Sequence, residues 1–203
     1  EGIALDDVEN LVVTGGRHKL LPASLGNTRV IPVGEVQAIG RGGQAAYATT
    51  GIAFPRRRRL LVVSAGSGTA LLAAQGKHFR HVTGTAVGGG TMLGLGRLIL
   101  ECVDPLQIDE LALLGNSNAV DLALADVVTG PIGTLPATAT AVNFGRLARM
   151  PLDASLSDKA AALVNLIGQV IALLAISAAR AETPANATES APIVVIGHMT
   201  DMR

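Results

Sequence analysis

Two glycine-rich segments, set about twenty residues apart, have the residue types of an anion-binding site. The first is Ser64-Ala65-Gly66-Ser67-Gly68-Thr69, which follows the apolar run Leu60–Val63. The second runs from Gly84 to Thr91 and precedes an apolar stretch with helical spacing. Glycine lets the backbone approach a ligand closely, and a helix start presents N–H donors at one place. The pair of segments therefore predicts a polyphosphate site, and hence a nucleotide as the ligand.

The candidate phosphate contacts within these two segments are Ser64, Gly66, Ser67, Gly68, Thr69, Gly88, Gly89 and Gly90. Taken alone, Gly-Ser-Gly is more typical of a simple hairpin turn, and the three consecutive glycines are typical of a flexible loop. Their closeness in the chain favours the functional interpretation of both. Thr14-Gly15-Gly16 follows a short apolar strand, and on its own it is typical of an ordinary strand-to-helix turn.

Three residues with ionisable side chains are candidates for binding or activating a substrate that accepts a phosphoryl group. Glu35 lies in a Gly/Ala-rich segment with few other charges, where a carboxylate could take the proton of an attacking hydroxyl. The alternative is an ordinary solvated carboxylate. Arg80 and His81 precede the second glycine segment and could bind a carboxylate or phosphate, or simply form a solvated strand end.

Composition excludes several other functions. Sixteen basic and sixteen acidic residues among 203 give no net charge, which argues against a nucleic-acid partner. A single cysteine, Cys102, excludes a disulfide framework, and we expect it to be a small buried hydrophobe in a reducing compartment. The spacing of His18, His78 and His198 predicts no metal site. The basic run Arg56–Arg59 is typical of a solvated loop.

The predicted strands and helices that must position these residues alternate along the chain. With 49% hydrophobic and only 2% aromatic residues, the chain favours an α/β fold. Pairing of Leu60–Val63 with Ala70–Ala74 predicts a hairpin around the Gly-Ser-Gly turn. Asp104 is predicted to cap a helix. Further strands are predicted at 10–13, 30–33 and 193–197, and helices at 35–47, 91–101 and 157–180.

The helix at 157–180 contains the apolar run Ala160–Ala179, which is long enough to raise the question of a membrane span. Asn165 and Gln169 lie one turn apart near its centre, where each would cost energy in lipid. A core or dimer-interface helix is the favoured interpretation. We therefore expect neither a membrane nor a nucleic acid among the partners.

The order of motifs resembles the type II, eukaryotic-like pantothenate kinases, the Fumble family of the acetate and sugar kinase, heat-shock ATPase and actin superfamily. The resemblance covers about Asn10 to Gly197. Its most specific part is Val82-Thr83-Gly84-Thr85-Ala86-Val87-Gly88-Gly89-Gly90-Thr91. Other matching stretches are Leu11–Gly16, the segment of Glu35, Val63–Thr69, Asp121 with Asp126, Leu135-Pro136 with Ala141–Gly145, and Ile196-Gly197.

The resemblance implies an actin-like, ribonuclease-H-type fold and ATP-dependent phosphorylation of pantothenate, the entry step to coenzyme A. Residues 1–50 would be the end of the first lobe and residues 51–203 most of the second. It implies Glu35 as the base, the two glycine segments and Gly197 at the nucleotide, and Mg²⁺ bridging phosphate oxygens. Substrate contacts would come from Arg80, His81, Gly84 and Thr85. A cytoplasmic homodimer built on 157–180 and regulation by acyl-CoA are implied as well.

This sequence departs from the family pattern in three places. An Asp-x-Gly-Gly-Thr phosphate loop and a C-terminal adenosine loop do not occur in it, and it starts at Glu1, so we expect a fragment or a processed product. His81 stands where the family has an arginine that contacts pantothenate, and Arg80 would point differently from a strand. Two alternatives follow: a related kinase with another hydroxyl acceptor, or a non-catalytic protein that binds nucleotide or acyl-CoA.

Overall fold

The computed structural model describes residues 4–52, 59–129, 132–149, 153–187 and 189–202 and shows a mixed α/β chain. The strands are β1 Asn10–Val13, β2 Ser24–Leu25, β3 Thr28–Pro32, β4 Leu60–Ala65, β5 Thr69–Gln75, β6 His78–Thr85, β7 Leu122–Ala123, β8 Thr140–Val142 and β9 Ile193–Ile196. The helices are α1 Glu35–Thr49, α2 Gly89–Ile99, α3 Pro105–Leu114, α4 Leu124–Val127 and α5 Leu156–Glu182. The predicted fold class is confirmed.

The strands form three sheets. One has the order β1-β3-β2, with β1 parallel and β2 antiparallel to β3. A second has the order β6-β5-β4-β9, and β7 pairs with β8 in the third. The middle strands of the second sheet are continuous apolar runs, with Leu60–Val63 and Leu71–Ala74 all buried. Uninterrupted apolar runs predict strands that are buried on both faces, because a strand with one solvent-exposed face alternates apolar and polar residues.

Contacts divide the chain into two compact units. Unit 1 holds Glu1–Val63, Leu71–Thr83 and Ala178–Val195, and unit 2 holds Ser64–Ala70, Gly84–Ser177 and Ile196–Arg203. The nucleotide candidates of both glycine segments therefore lie in unit 2, together with Gly197. Glu35, Arg80 and His81 lie in unit 1.

Most of the predicted elements are confirmed, including the β4–β5 hairpin and the strand at β1. Asp104 caps α3 as predicted, because its Oδ1 accepts the Leu106 N–H at 3.0 Å. Helix α2 begins at Gly89, two residues earlier than the sequence predicted. Arg56–Arg58 of the basic run lie outside the described residues, whereas Arg59 is described and exposed.

Helix α5 starts at a reciprocal cap. The Ser155 hydroxyl accepts the N–H of Asp158 at 3.1 Å, and the Asp158 carboxylate accepts from the Ser155 N–H at 3.3 Å. The same carboxylate accepts the Asn116 N–H at 2.8 Å. This hydrogen bond is the largest cause that lowers the pKa of Asp158, and the bond from the Ser155 side chain is the second largest.

A buried carboxylate fixes α5 against the small β7–β8 sheet in unit 2. Asp121 is fully buried and accepts the Phe144 N–H at 2.7 Å, the Asn165 amide at 2.9 Å and the Thr140 hydroxyl at 3.2 Å. Asn165 also donates to the Thr140 hydroxyl at 2.9 Å. Asn165, the polar residue that argued against a membrane span, therefore has its partners inside the protein.

Within the described part of the chain, α5 is the one helix long and apolar enough to cross a membrane, by length and composition only. A single such helix is weak evidence for a membrane span, because core helices pass the same test. Its residues Ala160, Leu163 and Ile167 are completely buried in unit 2. These residues recur every three or four positions and form one buried face of α5, while 28% of the apolar window is buried in total.

The first prediction concerns Asn165. Replacing it with alanine leaves Asp121 and Thr140 each without one buried donor, so the free energy of unfolding should fall by about 1–3 kcal/mol. Gln169→Ala, one turn later on α5, should change it by less than about 0.5 kcal/mol. Urea unfolding followed by circular dichroism measures both. Equal losses in the two variants would show that the polar cluster does not stabilise unit 2.

Candidate nucleotide site

The two glycine-rich segments are in direct backbone contact in unit 2. The Gly66 N–H donates to the Gly68 carbonyl at 3.0 Å, which closes the turn between β4 and β5. The Gly89 N–H then donates to the Gly66 carbonyl at 2.8 Å, and the Gly90 N–H to the Ser67 carbonyl at 2.9 Å. The segments that the sequence singled out thus form one structure.

These bonds occupy N–H groups at the start of α2 that were predicted to bind a ligand. The sequence predicted that the N–H groups of this helix start face a ligand, whereas those of Gly89 and Gly90 donate to the first glycine segment. They satisfy two of the donors that a helix start leaves unpaired. An anion at this place would be contacted by other groups of the two segments, among them the Ser67 hydroxyl.

Close approach explains why glycine occupies two of these positions. A Cβ at Gly88 would lie 2.8 Å from the Gly68 Cα and 2.8 Å from the Ser67 carbonyl oxygen, which is nearer than real Cβ atoms come. Gly197, directly after β9, has φ +110° and lies so close to Ala65 that a Cβ would overlap its carbonyl. The ends of β4 and β9 and the start of α2 therefore pack without side chains between them.

Threonine hydroxyls hold the connection between β6 and α2. Thr69 is 4% exposed and donates to the Val87 carbonyl at 2.8 Å. Thr85 accepts the Val87 N–H at 3.1 Å, and Thr91 donates to the Ala86 carbonyl at 3.0 Å. Thr69 and Thr85, which the sequence proposed as ligand contacts, therefore have structural partners within unit 2.

A cavity of about 350 Å³ opens beside the glycine segments, entirely within unit 2. Its lining residues come from both segments, from α2, from the start of α3 and from the chain after β9: Gly66, Ser67, Gly89, Gly90, Met92, Leu93, Pro105, Leu106, Asp109, His198, Met199, Asp201 and Met202. Leucine and methionine dominate the side chains, with a few polar groups among them. A mostly apolar lining with a few polar groups is typical of small-molecule sites.

The cavity is large enough for a small molecule. Its size lies in the range of small-molecule sites, roughly 300–1,000 Å³. Met199 lies against the glycine segment, since its sulfur is 3.2 Å from the position of a Gly89 Cβ. The described residues contain no group of three or more His, Cys, Asp or Glu side chains placed to hold a metal.

Sequence reasoning missed the walls of this cavity. Leu106 and Asp109 lie on α3, whose start was predicted from Asp104 but whose inward face was not. Met199 and Met202 follow Gly197, and a glycine directly after an apolar strand was the available signal, because it marks a turn of the chain after β9. Only tertiary contacts show that these segments meet the glycine-rich ones.

Glu35 and Arg80 occupy different settings in unit 1. Glu35 is the exposed first residue of α1. Arg80 is 60% exposed and its Nη2 contacts both carboxylate oxygens of buried Glu182, at 2.7 and 2.8 Å. Arg59 Nη1 reaches the same carboxylate at 3.2 Å. A single buried carboxylate therefore has two arginine partners, as a buried charge requires.

His81 and Arg80 lie on opposite faces of β6. A methyl group at Gly40 of α1 would overlap the Phe79 ring, so Phe79 lies against α1. Arg80 turns instead to Glu182. Because successive side chains of a strand alternate between faces, His81 shares the α1 face with Phe79. This agrees with the expectation that Arg80 points in a different direction from the side chain at position 81.

The comparisons with known proteins point to one class of protein. The family model described as Fumble matches residues 44–187, and the chain belongs to this family. It is similar to proteins named "Type II pantothenate kinase" from Oceanobacillus iheyensis, with 30% identity over 91% of this chain and 65% of the relative, and from Bacillus cereus, with 28% over 83% and 61%. The protein of that name from Staphylococcus aureus strain USA300 is 29% identical over 89% and 66%.

The chain thus spans less than two thirds of the length of these relatives. The family is nevertheless shown, because its model covers most of the 203 residues. The α/β structure, with helices flanking several sheets, is consistent with the actin-like kinase fold that the resemblance implied.

The second prediction tests the backbone contact. Gly88→Ala places a methyl group against Gly68 and Ser67, so the free energy of unfolding should fall by about 1–3 kcal/mol. Gly94→Ala is the matched control, because it lies in α2 with nothing within 4 Å, and it should raise stability by about 0.5–1 kcal/mol. Thermal unfolding measures both changes. A Gly88→Ala protein as stable as the Gly94→Ala protein would contradict the observed packing.

Proposed function

We propose that this protein transfers a phosphoryl group from ATP to the primary hydroxyl of pantothenate. The observation that carries the proposal is the cavity beside two interlocked glycine segments in a chain of the Fumble family. The names of its relatives support pantothenate as the acceptor. The entry of the product into coenzyme A biosynthesis belongs to the same proposal.

We propose that the apolar walls of the cavity contact the base of the nucleotide. Leu106 and Met199 would contact its faces, and Gly197 shapes the wall by directing the chain that carries Met199. The phosphates would lie along Ser64–Thr69 and Gly88–Gly90, with the Ser67 hydroxyl and the remaining amides as donors. Magnesium on the phosphate oxygens would neutralise their charge.

For the acceptor, Glu35 is proposed to hold the hydroxyl and accept its proton, which makes the oxygen a better nucleophile. Arg80, His81, Gly84 and Thr85 remain the proposed substrate contacts on β6. His81 replaces an arginine of the family and motivates a second candidate function. In this function the protein transfers the phosphoryl group to another small hydroxyl compound. A panel of acceptors distinguishes the two functions.

We further propose that the protein forms a homodimer, is regulated by an acyl-CoA and resides in the cytoplasm. Leu173 and Ile176 on α5 are 66% and 43% exposed, and such apolar side chains support α5 as part of a homodimer interface. An acyl-CoA would regulate the enzyme, and the cytoplasm is its proposed location. Residues 1–50 would then belong to the first lobe of the kinase and residues 51–203 to the second.

The third prediction tests the proposed chemistry. The purified protein should release ADP from Mg-ATP in a pantothenate-dependent manner, and Glu35→Gln should lower kcat at least about 100-fold, because the amide cannot accept the proton. Glu9→Gln, another exposed carboxylate of unit 1, should retain full activity.

Two results would contradict these assignments. Full turnover by Glu35→Gln would exclude Glu35 as the base. ATP binding without ADP release in the presence of pantothenate would exclude pantothenate as the acceptor, and release with another alcohol would then support the second function. ATP binding without release for any acceptor would favour a non-catalytic role.

A further inference from the structure

Asp109 is a buried carboxylate in the wall of the cavity beside the glycine segments. It is 3% exposed, and the residues that line the cavity with it are mostly apolar. Asp109 follows Pro105 by four residues and Leu106 by three, so these residues are neighbours on one face of α3. All three line the cavity, whereas Ile108 lies against Gly96 of α2. This face of α3 therefore gives the cavity an acidic group within an apolar wall.

The polar groups of the lining orient a bound nucleotide. The glycine segments supply the Ser67 hydroxyl and backbone amides, whereas Asp109 and Asp201 supply carboxylates from other parts of the wall. Among the described residues of the lining there is no lysine or arginine that could offset these carboxylates. Because a carboxylate repels a phosphate, the phosphates belong at the glycine segments and the nucleoside end belongs beside Asp109.

A carboxylate in this position selects ligands that donate a hydrogen bond. An ionised aspartate has about four acceptor sites and no donor. Asp109 already interacts with another group of the protein, and the number of its acceptor sites leaves room for a ligand as well. Leu106, its neighbour on α3, is the proposed contact of one face of the base, so the carboxylate lies at the edge of the base. At that edge adenine carries an amine that donates, whereas a 6-oxo purine carries an oxygen that accepts.

We propose that the Asp109 carboxylate accepts a hydrogen bond from the exocyclic amine of adenine and thereby selects ATP over nucleotides with a 6-oxo purine. The inference rests on the proposed function, since it takes this cavity as the nucleotide site. The leucine and methionine side chains of the wall contact any purine alike, so they do not discriminate between purines. A 6-oxo purine would bring its oxygen against the carboxylate, and the repulsion would disfavour it.

The fourth prediction compares ADP with purine riboside diphosphate, which carries a hydrogen atom in place of the amine. The unsubstituted protein should bind ADP at least about 10-fold more tightly, because the analogue cannot donate to the charged group. In Asp109→Ala the ratio of the two affinities should fall to about 1, since the acceptor is gone. Glu110→Ala is the matched control, because this exposed carboxylate is the next residue of α3 and does not line the cavity. It should keep the ratio of the unsubstituted protein.

Isothermal titration in the presence of magnesium measures these affinities without any turnover. A general disturbance of the wall would weaken both nucleotides alike and keep their ratio. A ratio in Asp109→Ala equal to that of the unsubstituted protein therefore overturns the inference and leaves the nucleotide site intact. Asp109→Ala may instead lose discrimination against 2′-deoxy-ADP alone, and this result also overturns the inference, because the carboxylate would then contact the ribose. An unsubstituted protein that binds neither ADP nor ATP overturns the proposed function and the inference together.

Discussion

Direct contact between backbone segments is the constraint on which the candidate nucleotide site depends. Amides of the second glycine segment donate to carbonyls of the first, and Gly88 and Gly197 leave no room for a side chain. The turn after β4, the start of α2 and the chain after β9 are held together by these contacts. The cavity is the space that they leave beside α3. A side chain at either glycine would separate the segments and change the walls of the cavity.

Sequence patterns predicted the elements well where a local signal decides them. The apolar run of β4, the Asp104 cap and the spacing of α1 are local, and all three are confirmed. The start of α2 was placed two residues late, because Gly89 and Gly90 are poor helix formers and are helical through bonds to Gly66 and Ser67. Tertiary contacts overrode propensity at that place.

The candidate site could be predicted only in part for the same reason. Two glycine segments close in the chain were recognisable, and the structure brings them together. The partner of Arg80 was not predictable, because Glu182 lies 102 residues further along the chain. Nor did any local pattern connect Met199 with Gly89. These pairs depend on strand order and helix packing, which residue spacing alone does not encode.

The measurement that tests the central claim most directly is hydrogen exchange by mass spectrometry, with and without a non-hydrolysable ATP analogue and magnesium. The account predicts slower exchange in three stretches of unit 2: residues 64–69, 88–93 and 198–202. Exchange in β1 to β3 should not change, because that sheet does not line the cavity. Unchanged exchange in all three stretches, or protection confined to β1 to β3, would contradict a nucleotide site at the glycine segments.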